Sequence, residues 1–240
     1  MKELHLFHLP ALAEGQTALP DDEAAHAVRV LRMKAGDTLY ATDGQGAFYE
    51  TRLVAASAKD CRVEIVEKTA QPPLWRGSIR IAVAPTKNMD RTEWLAEKGT
   101  EIGCDAFYFL NCRNSERRVL KTERIERIVV SAVKQSHKAR KPEVGEMEAF
   151  GQFVARPFAG QKFIAHCHEA GGDTRPLLKD VVSDTEDTLV LIGPEGDFTP
   201  DEVAAAEAAG FRSVSLGRSR LRTETAALAA IHTMYLAKAL

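Results

Sequence analysis

The sequence predicts an α/β protein in which a small β-rich module precedes a larger domain built on a parallel sheet. Polar and apolar residues alternate in three runs within residues 38–68, as they do in half-buried strands. From Ser78 onward, apolar strands alternate with helical patterns, which is typical of a parallel sheet with helices on both faces. Gln71-Pro72-Pro73 resembles a linker. We therefore expect one domain over residues 1–70 and another over residues 74–240.

The first module is expected to be a small β-barrel. A strand is predicted over Leu4–Leu9, and a helix over Asp21–Leu31 is capped by Asp21 or Asp22 after Pro20. A hairpin turn at residues 43–46 and a tight connection at Ala58-Lys59-Asp60 join the remaining strands. Those strands are predicted over Thr38–Thr42, Ala47–Ala55 and Arg62–Lys68.

The second domain is predicted to contain five strands and four helices. Thr199-Pro200-Asp201-Glu202 has the hydroxyl, proline and acidic residue typical of a helix start. Helices are predicted over Arg91–Ile102, Thr122–Lys138, from the Thr199 cap to Gly210, and over Glu224–Ala239. Strands are predicted over Ile79–Ala84, Ala106–Leu110, Lys162–Cys167, Thr188–Ile192 and Ser213–Leu216.

Composition is that of a cytoplasmic globular protein. Apolar residues make up 45% of the chain and charged residues 28%, both ordinary values. The four cysteines form no C-x-x-C pair, so we expect neither disulfides nor a zinc site. No stretch resembles a signal peptide or is apolar enough to span a bilayer, so no membrane partner is expected.

Charge is distributed unevenly along the chain. From Arg113 to Lys141 there are ten Lys and Arg residues against three Glu, whereas from Pro142 to Gly210 there are four against fourteen Asp and Glu. The first stretch could bind a polyanion. A solvated helix face would produce the same pattern, and charge alone does not decide between the two.

Several common catalytic motifs are missing from the sequence. There is no P-loop, no G-x-G-x-x-G after a first strand and no G-x-S-x-G. His166 and His168 flank Cys167, but histidines placed in this way are more often structural than metal ligands. We therefore predict no metal site.

Two glycine loops remain as candidates for ligand binding. Gly193 and Gly196 allow a ligand to approach the backbone closely, Pro194 fixes the turn between them, and Gly217 follows the last strand. Loops at the carboxyl ends of parallel strands form the ligand site of open α/β folds. Their backbone groups suit the edge of an adenine ring, but they lack the lysine that a triphosphate would need.

These loops resemble a known family. Gly193-Pro194-Glu195-Gly196, followed by Leu216-Gly217 and Leu221-Arg222-x-Glu224-Thr225-Ala226, resembles the C-terminal signature of SPOUT-class RNA methyltransferases. More narrowly, it resembles the RsmE type, which methylates N3 of a uridine in small-subunit ribosomal RNA. The resemblance extends over the whole chain, through the segment 28–33 and further matching positions: Lys87, Glu93, Lys98, Glu101, Gly103, Gln135, Arg140 and Pro142.

The resemblance implies a cofactor, a knot and partners. It implies S-adenosyl-L-methionine bound in a C-terminal trefoil knot, an N-terminal PUA-like or OB-like RNA-binding barrel, and a homodimer with each active site near the interface. The RNA partner would be small-subunit ribosomal RNA or the assembled small subunit. The cofactor-binding positions would be Ile192, Gly193, Pro194, Glu195, Gly196, Leu216, Gly217, Leu221, Arg222, Thr225 and Ala226.

Three residues depart from the pattern of the family. Asp197 and His137 stand where glycine is usual, and Lys134 stands where a glutamate is expected. We expect Asp197 to affect only how tightly its loop closes. Lys134 argues against a catalytic acid at that position.

Arg222 is the candidate catalytic residue, because a guanidinium would stabilise the anion that develops when uracil N3 loses its proton. Glu224 could accept that proton, hold Arg222 in place, or simply cap the last helix. N3 is hidden in a paired base, so the target uridine should be unpaired or flipped out. Candidate RNA contacts are Arg29, Arg32 and Lys34 first, unless they form only a solvated helix end, and Arg113, Arg117 and Arg118 second.

Three other functions remain open from the sequence. The chain could be a SPOUT methyltransferase acting on a transfer RNA base or on a ribose. It could also be a non-enzymatic RNA-binding factor in ribosome assembly, or an α/β domain that senses an unrelated nucleotide.

Overall fold

The computed structural model describes residues 5–57, 60–168 and 175–239. Residue contacts divide the chain into two units. The first contains residues 1–73 and 130–141, and the second contains residues 74–129 and 142–240. Leu4, where the first strand was predicted to begin, and Ala58 and Lys59 of the predicted tight connection lie outside the described residues.

The first unit is built on a four-stranded sheet. Strand β1 (Leu6–His8) pairs in parallel with β2 (Thr38–Thr42), which is followed by the antiparallel neighbours β3 (Ala47–Ala56) and β4 (Cys61–Ala70). Alternate residues of β3 are buried, as the polar–apolar alternation predicted. The core of the unit contains Phe7, Leu39, Tyr49, Leu53 and Val63.

The chain between β1 and α1 runs from one edge of this sheet to the other. β1 lies beside β2, whereas the segment 17–19 lies along β4, where Val63 N–H donates to the Thr17 carbonyl at 2.9 Å and Leu19 N–H to that of Cys61 at 2.9 Å. A 3₁₀-helix over Pro10–Glu14 connects the two positions. The segment 17–19 thus occupies the β4 edge that the order of the four strands leaves open.

The helix predicted over Asp21–Leu31 is not one regular α-helix. Its first half is α1 (Asp21–Ala25) and its second half is a π-helix (His26–Val30), in which Leu31 N–H bonds to the His26 carbonyl. The predicted aspartate cap is wrong, because Pro20 occupies the cap position. Asp21 and Asp22 lie in the first turn, where carboxylates favour the positive end of the helix.

The first unit includes a second stretch of chain that the predicted domains did not assign to it. Thr42 Oγ1 donates to the Ala139 carbonyl at 3.1 Å, and Gly46 N–H donates to the same oxygen at 2.9 Å. Lys141 N–H donates to the Gly44 carbonyl, and Arg140 Nη1 to that of Gln45. These bonds connect residues about 95 positions apart, a separation that local sequence patterns do not encode.

The second unit contains a six-stranded sheet in which all strands are parallel, as predicted. Its order is β10-β8-β9-β5-β6-β7. The central strands are almost completely buried, which explains why they read as continuous apolar runs. The strands are β5 (Ile79–Val83), β6 (Ala106–Asn111), β7 (Glu143–Ala149), β8 (Gln161–Ala165), β9 (Thr188–Ile192) and β10 (Arg212–Val214).

Helices pack on both faces of this sheet. On one face α7 (Thr223–Ala239) packs against α2 (Met89–Ile102), α5 (Leu178–Val181), β5 and β9. On the other, α4 (Phe150–Val154) and α6 (Pro200–Ala208) enclose a core with Phe150, Phe153 and Phe211. The predicted capping box at Thr199 and Glu202 is present. In the described chain, no helix is sufficiently long and apolar to cross a membrane.

Three elements of this unit were not predicted, and several predicted elements end earlier in the structure, including the strands predicted over Lys162–Cys167 and Ser213–Leu216, which end at Ala165 and Val214. The unpredicted helices α4 and α5 are short, and the unpredicted strand β7 contains three glutamates with no alternating burial. The helix predicted over Thr122–Lys138 is α3 (Thr122–Gln135). It ends earlier because the chain enters the left-handed region at His137, where φ is 52°.

Candidate functional site

The candidate site is the edge of the parallel sheet at which all of its strands have their carboxyl ends. Five connections meet there: the β5 loop (residues 84–88), the β6 loop (112–121), the chain leaving β8 (166–168), the β9 loop (193–199) and the β10 loop (215–222). Both predicted glycine motifs lie in this set.

The β9 loop is held by the β5 and β6 loops. Glu195 Oε1 accepts a hydrogen bond from Lys87 N–H at 2.8 Å. Asn114 Nδ2 donates to the carbonyls of Gly196 and Asp197, both at 3.1 Å. Arg117 in turn binds the β5 loop, donating to the carbonyls of Thr86 and Lys87.

The β9 loop is also tied to the start of the last helix. Thr223 Oγ1 donates to the Gly193 carbonyl at 3.1 Å, and both residues are buried. This bond connects the end of the β10 loop to the beginning of the β9 loop. It brings together the two glycine motifs that the sequence placed at one sheet edge.

The β9 loop is also joined to the chain leaving β8. The carboxylate of Asp197 accepts Cys167 N–H at 2.7 Å and Phe198 N–H at 2.8 Å. His168 Nε2 lies 2.5 Å from the Phe198 carbonyl. The φ of Asp197 is 61°, so the backbone keeps here the conformation that glycine adopts easily.

The β10 loop has a different character. Residues from Gly217 to Arg220 are all exposed. Gly217 has a φ of 122°, and no atom of the described chain lies within 4 Å of where its Cβ would stand. At Gly193, by contrast, a Cβ would lie 3.0 Å from the Phe198 nitrogen.

These surroundings can accommodate a nucleoside-like cofactor. Ile192, Gly193 and Pro194 are buried, and Leu216, Leu221 and Ala226 are half-buried, so the two loops offer apolar surface beside backbone groups. Glu195, Gly196 and Thr225 are exposed. The open space at Gly217 lets a ligand reach the backbone of the β10 loop.

The two predicted catalytic residues differ in exposure. Arg222 is exposed immediately before α7, and its carbonyl accepts Ala226 N–H at 2.7 Å. Glu224 is only 7% exposed and faces Arg91 of α2, with 3.8 Å between the nearest Oε1 and Nη1 atoms. Its Oε2 has no hydrogen-bond partner among the described residues. A buried carboxylate oxygen without a partner is costly to keep, and it remains available to a ligand or a proton.

The predicted RNA-binding residues fall into groups with different contacts. Arg29, Arg32 and Lys34 are exposed in the first unit, and Arg32 has a φ of 55°. In the second unit Arg113 and Arg118 are exposed, and Arg118 Nη2 donates to the Arg113 carbonyl. The guanidinium of Arg117 is occupied by the β5 loop, which gives it a role in loop structure whether or not RNA reaches it.

Sequence reasoning missed several residues that shape this edge. Asn114 and Thr223 were not singled out, although both stand directly beside residues that were. Lys87 was quoted for the resemblance, but its backbone bond to Glu195 has no sequence signal. Lys134, in the first unit, pairs with the buried Glu23 at 2.7 Å, so this departure from the family pattern has a local partner.

Two titratable groups near this edge have pKa values that are shifted by burial. Burial lowers the pKa of His166, the Arg175 guanidinium lowers it further, and its Nε2 lies 3.0 Å from Ser213 Oγ. Burial raises the pKa of the Cys112 thiol at the end of β6, which keeps it protonated at neutral pH. Within the described parts of the chain, no three His, Cys, Asp or Glu residues are arranged to hold a metal ion.

The comparisons with known proteins match both regions of the chain. Residues 73–235 match the family of RNA methyltransferase domains, and residues 19–66 match the RNA methyltransferase PUA domain. The ribosomal RNA small subunit methyltransferase E of Mycobacterium bovis is 32% identical over 94% of this chain and 89% of its own length.

Solved structures resemble the whole chain as well. A probable rRNA-methyltransferase from Porphyromonas gingivalis is 46% identical, with a TM-score of 0.90 and coverage of 98% of this chain and 99% of that one. The ribosomal RNA small subunit methyltransferase E of Neisseria gonorrhoeae, solved with bound S-adenosyl methionine, is 26% identical. Its TM-score is 0.85, and 98% of each chain is covered.

Proposed function

This chain belongs to the RNA methyltransferase family, and we propose that it transfers a methyl group from S-adenosyl-L-methionine to N3 of a uridine in small-subunit ribosomal RNA. The observation that carries the proposal is the Thr223–Gly193 hydrogen bond, which joins the two glycine loops at one edge of a parallel sheet. This is the edge at which open α/β folds bind ligands. The N. gonorrhoeae relative was solved with S-adenosyl methionine, which suggests the methyl donor. The name of the M. bovis relative refers to small-subunit ribosomal RNA, which suggests the methyl acceptor.

The cofactor would lie between the β9 and β10 loops. The buried bend at Ile192, Gly193 and Pro194 would form one wall, and Leu216, Gly217 and Leu221 the other. The start of α7 would close the pocket with Thr225 and Ala226, while Glu195 and Gly196 would border its mouth. When bound, the cofactor supplies a methyl group already activated by its sulfonium, so the protein's task is to align donor and acceptor.

Arg222 would act on the uracil ring. Loss of the N3 proton leaves an anion whose charge spreads onto O2 and O4, and a guanidinium beside those oxygens stabilises it. Arg222 is exposed, and at the mouth of the predicted pocket its side chain would approach the base. Glu224 would receive the proton or hold the guanidinium, and the first role is supported by its Oε2, for which the described residues provide no hydrogen-bond partner.

The RNA would contact both units. The PUA match over residues 19–66 includes Arg29, Arg32 and Lys34, which are exposed and could bind phosphates. Arg113 and Arg118 would extend the contact in the second unit, with Arg117 supporting the loop beneath them. The target uridine would have to be unpaired or flipped, in free ribosomal RNA or in the assembled small subunit.

The active form would be a homodimer in the cytoplasm, where ribosomal RNA is found. Trp94 on α2 and Leu236 on α7 are 43% and 42% exposed, and these two helices pack side by side. Contiguous exposed apolar patches mark protein–protein interfaces, and we propose that these two side chains belong to one such patch. A molar mass of two chains in light scattering would support the dimer, and that of one chain would contradict it.

The C-terminal segments would form the trefoil knot that the resemblance implies. Leu178 N–H bonds to the Ser215 carbonyl, and Ser215 N–H to that of Pro176, so the start of the β10 loop pairs with chain that precedes β9. The same loop then reaches Gly193 through Thr223. The knot would be established by a crystal structure in which the traced chain remains knotted when its two ends are extended away from each other.

The proposed function is tested by the modification of ribosomal RNA in a deletion strain. Mass spectrometry should find N3-methyluridine absent from small-subunit RNA and restored by the wild-type gene. A lost modification in transfer RNA or on a ribose would instead indicate a different RNA substrate. Calorimetry separates the remaining functions: no cofactor binding would favour an assembly factor, and a preference for ATP would favour a nucleotide sensor.

A further inference from the structure

We propose that Asp197 is a positioning residue, whose carboxylate locks the β9 loop onto the chain leaving β8 and thereby sets the affinity for S-adenosyl-L-methionine. This inference rests on the proposed function, and it adds a residue that does not itself touch the reacting atoms. The sequence suggested only an effect on how tightly the loop closes.

The backbone of Asp197 has a conformation that normally calls for glycine. Only three non-glycine residues in the described chain have positive φ, and Asp197 is the one that lies in a candidate cofactor loop. An L-residue in this region costs about 1 kcal/mol or more relative to glycine. A side chain kept at this position therefore has to provide something that glycine cannot.

The side chain of Asp197 provides two hydrogen bonds to backbone amides from different parts of the chain. Oδ2 accepts Cys167 N–H at 2.7 Å, thirty residues away, while Oδ1 accepts Phe198 N–H at 2.8 Å. Both distances are in the range of bonds to a charged acceptor, which are stronger than neutral ones. His168 adds a second contact between the same two segments, because its Nε2 meets the Phe198 carbonyl.

The position of these bonds connects them to cofactor binding. Asp197 Oδ1 would lie 3.2 Å from a Cβ added at Gly193, so the carboxylate lies directly behind the bend that is predicted to form the cofactor wall. Asp197 N–H also bonds to the Pro194 carbonyl at 2.9 Å, which closes the turn. Releasing the carboxylate would remove the bond from Cys167 and leave His168 as the described contact between the chain leaving β8 and this turn, so the wall would lose part of its fixed shape before the ligand arrives.

Two variants separate positioning from simple space filling. Asp197→Gly removes both bonds and relieves the backbone strain, whereas Asp197→Asn keeps one acceptor oxygen and places an NH₂ group where Oδ2 was. The matched control is Asp201→Asn, which removes the same charge four residues away, at an exposed position in the first turn of α6. Each full-length protein is titrated with S-adenosyl-L-methionine by calorimetry and assayed for methyl transfer to small ribosomal subunits.

We expect Asp197→Gly to raise the Kd and KM for the cofactor about tenfold, the effect of losing the charged hydrogen bond from Cys167 N–H that joins the β9 loop to the chain leaving β8. Asp197→Asn should raise both by a smaller factor, Asp201→Asn should leave them within twofold, and kcat at saturating cofactor should remain within threefold. Hydrogen exchange at the Cys167 and Phe198 amides should accelerate in Asp197→Gly while that in β9 stays unchanged.

An unchanged cofactor Kd in Asp197→Gly, or a fall in kcat without a rise in KM, would overturn the positioning role while the proposed function stands. If that variant does not fold, Asp197→Asn decides by the same criteria. Failure of the wild-type protein to bind the cofactor is a different result, because it would overturn the proposed function and this inference with it.

Discussion

The β9 and β10 loops lie at the same edge of one sheet and carry similar glycine motifs, yet the structure holds them in opposite ways. The β9 loop is bound by Lys87, Asn114, Cys167 and Thr223, which come from four other segments. The β10 loop is tied near its ends, through Ser215 and Thr223, and the residues from Gly217 to Arg220 between them are exposed.

This difference suggests a division of labour within the site. A loop fixed from four sides presents a pre-organised wall, which suits a cofactor that is the same in every turnover. An exposed loop can adapt, so the β10 loop would close over the cofactor as the second wall and also meet a large and irregular partner such as folded RNA. Arg222 lies where the exposed loop meets the buried start of α7, so its carbonyl is bound by Ala226 N–H while its side chain is exposed.

The largest effect is expected from removing the guanidinium of Arg222, and it should be on the rate of methyl transfer. Arg222→Ala is expected to lower the rate of methyl transfer about 100-fold, because the developing uracil anion loses its stabilising charge. Affinities for cofactor and RNA should change much less than the rate, even though the resemblance also places Arg222 beside the cofactor. Single-turnover rates on small ribosomal subunits, together with both affinities, measure this.

Arg220→Ala provides the control for that variant, because Arg220 is an exposed arginine of the same loop. Its single-turnover rate should stay close to that of the wild-type protein. Arg222→Ala methylating at full rate would remove Arg222 from the chemistry.

Cutting the bond between the two loops should have an intermediate effect. Thr223→Val removes the hydroxyl that donates to the Gly193 carbonyl, leaves that buried oxygen unpaired, and should destabilise the protein by roughly 1–2 kcal/mol. Cofactor affinity should fall about tenfold, since the fixed wall loses one of its attachments. Urea unfolding and calorimetry report the two quantities.

Thr233→Val is the matched control for stability. Thr233 lies on the same helix, but its hydroxyl donates to the Ala229 carbonyl of that helix at 2.8 Å. Its loss should not alter cofactor affinity. Equal losses of affinity in both variants would mean that the Thr223 bond has no special part in the site.

The smallest effect per residue is expected in the first unit. Replacing Arg29, Arg32 and Lys34 together by alanine should weaken binding to any RNA by a similar factor. If all three contact phosphates, the slope of log K against log salt should fall by about 2, since each contact contributes about 0.7. Fluorescence anisotropy at several salt concentrations, on both matched and unrelated RNA, measures the slope. An unchanged affinity and slope would contradict these contacts.

The sequence was sufficient to predict the strands and helices that form the site, but not the hydrogen bonds that hold its loops together. Buried strands such as β5 and β9 and the Thr199 capping box have strong local patterns, so the sheet edge and its glycine motifs could be placed. β7 was not predicted, because it is an edge strand with three glutamates and no alternating burial and therefore has no such local pattern.

Bonds between distant residues had no sequence signal. Asn114 lies 82 positions from Gly196, and Thr42 lies 97 from Ala139. Asp197 illustrates both what the sequence could predict and what it could not. The sequence shows that Asp197 stands where the family usually has glycine. Only the structure shows that its carboxylate accepts hydrogen bonds from the amides of Cys167 and Phe198.

The most direct test is methyl transfer by the purified protein to small ribosomal subunits from a strain that lacks it. With S-adenosyl-L-methionine present, mass spectrometry of the digested RNA should show N3-methyluridine at one position, in an amount approaching one per subunit. No new methylated nucleoside, or one methylated elsewhere than at uridine N3, would contradict the proposed reaction.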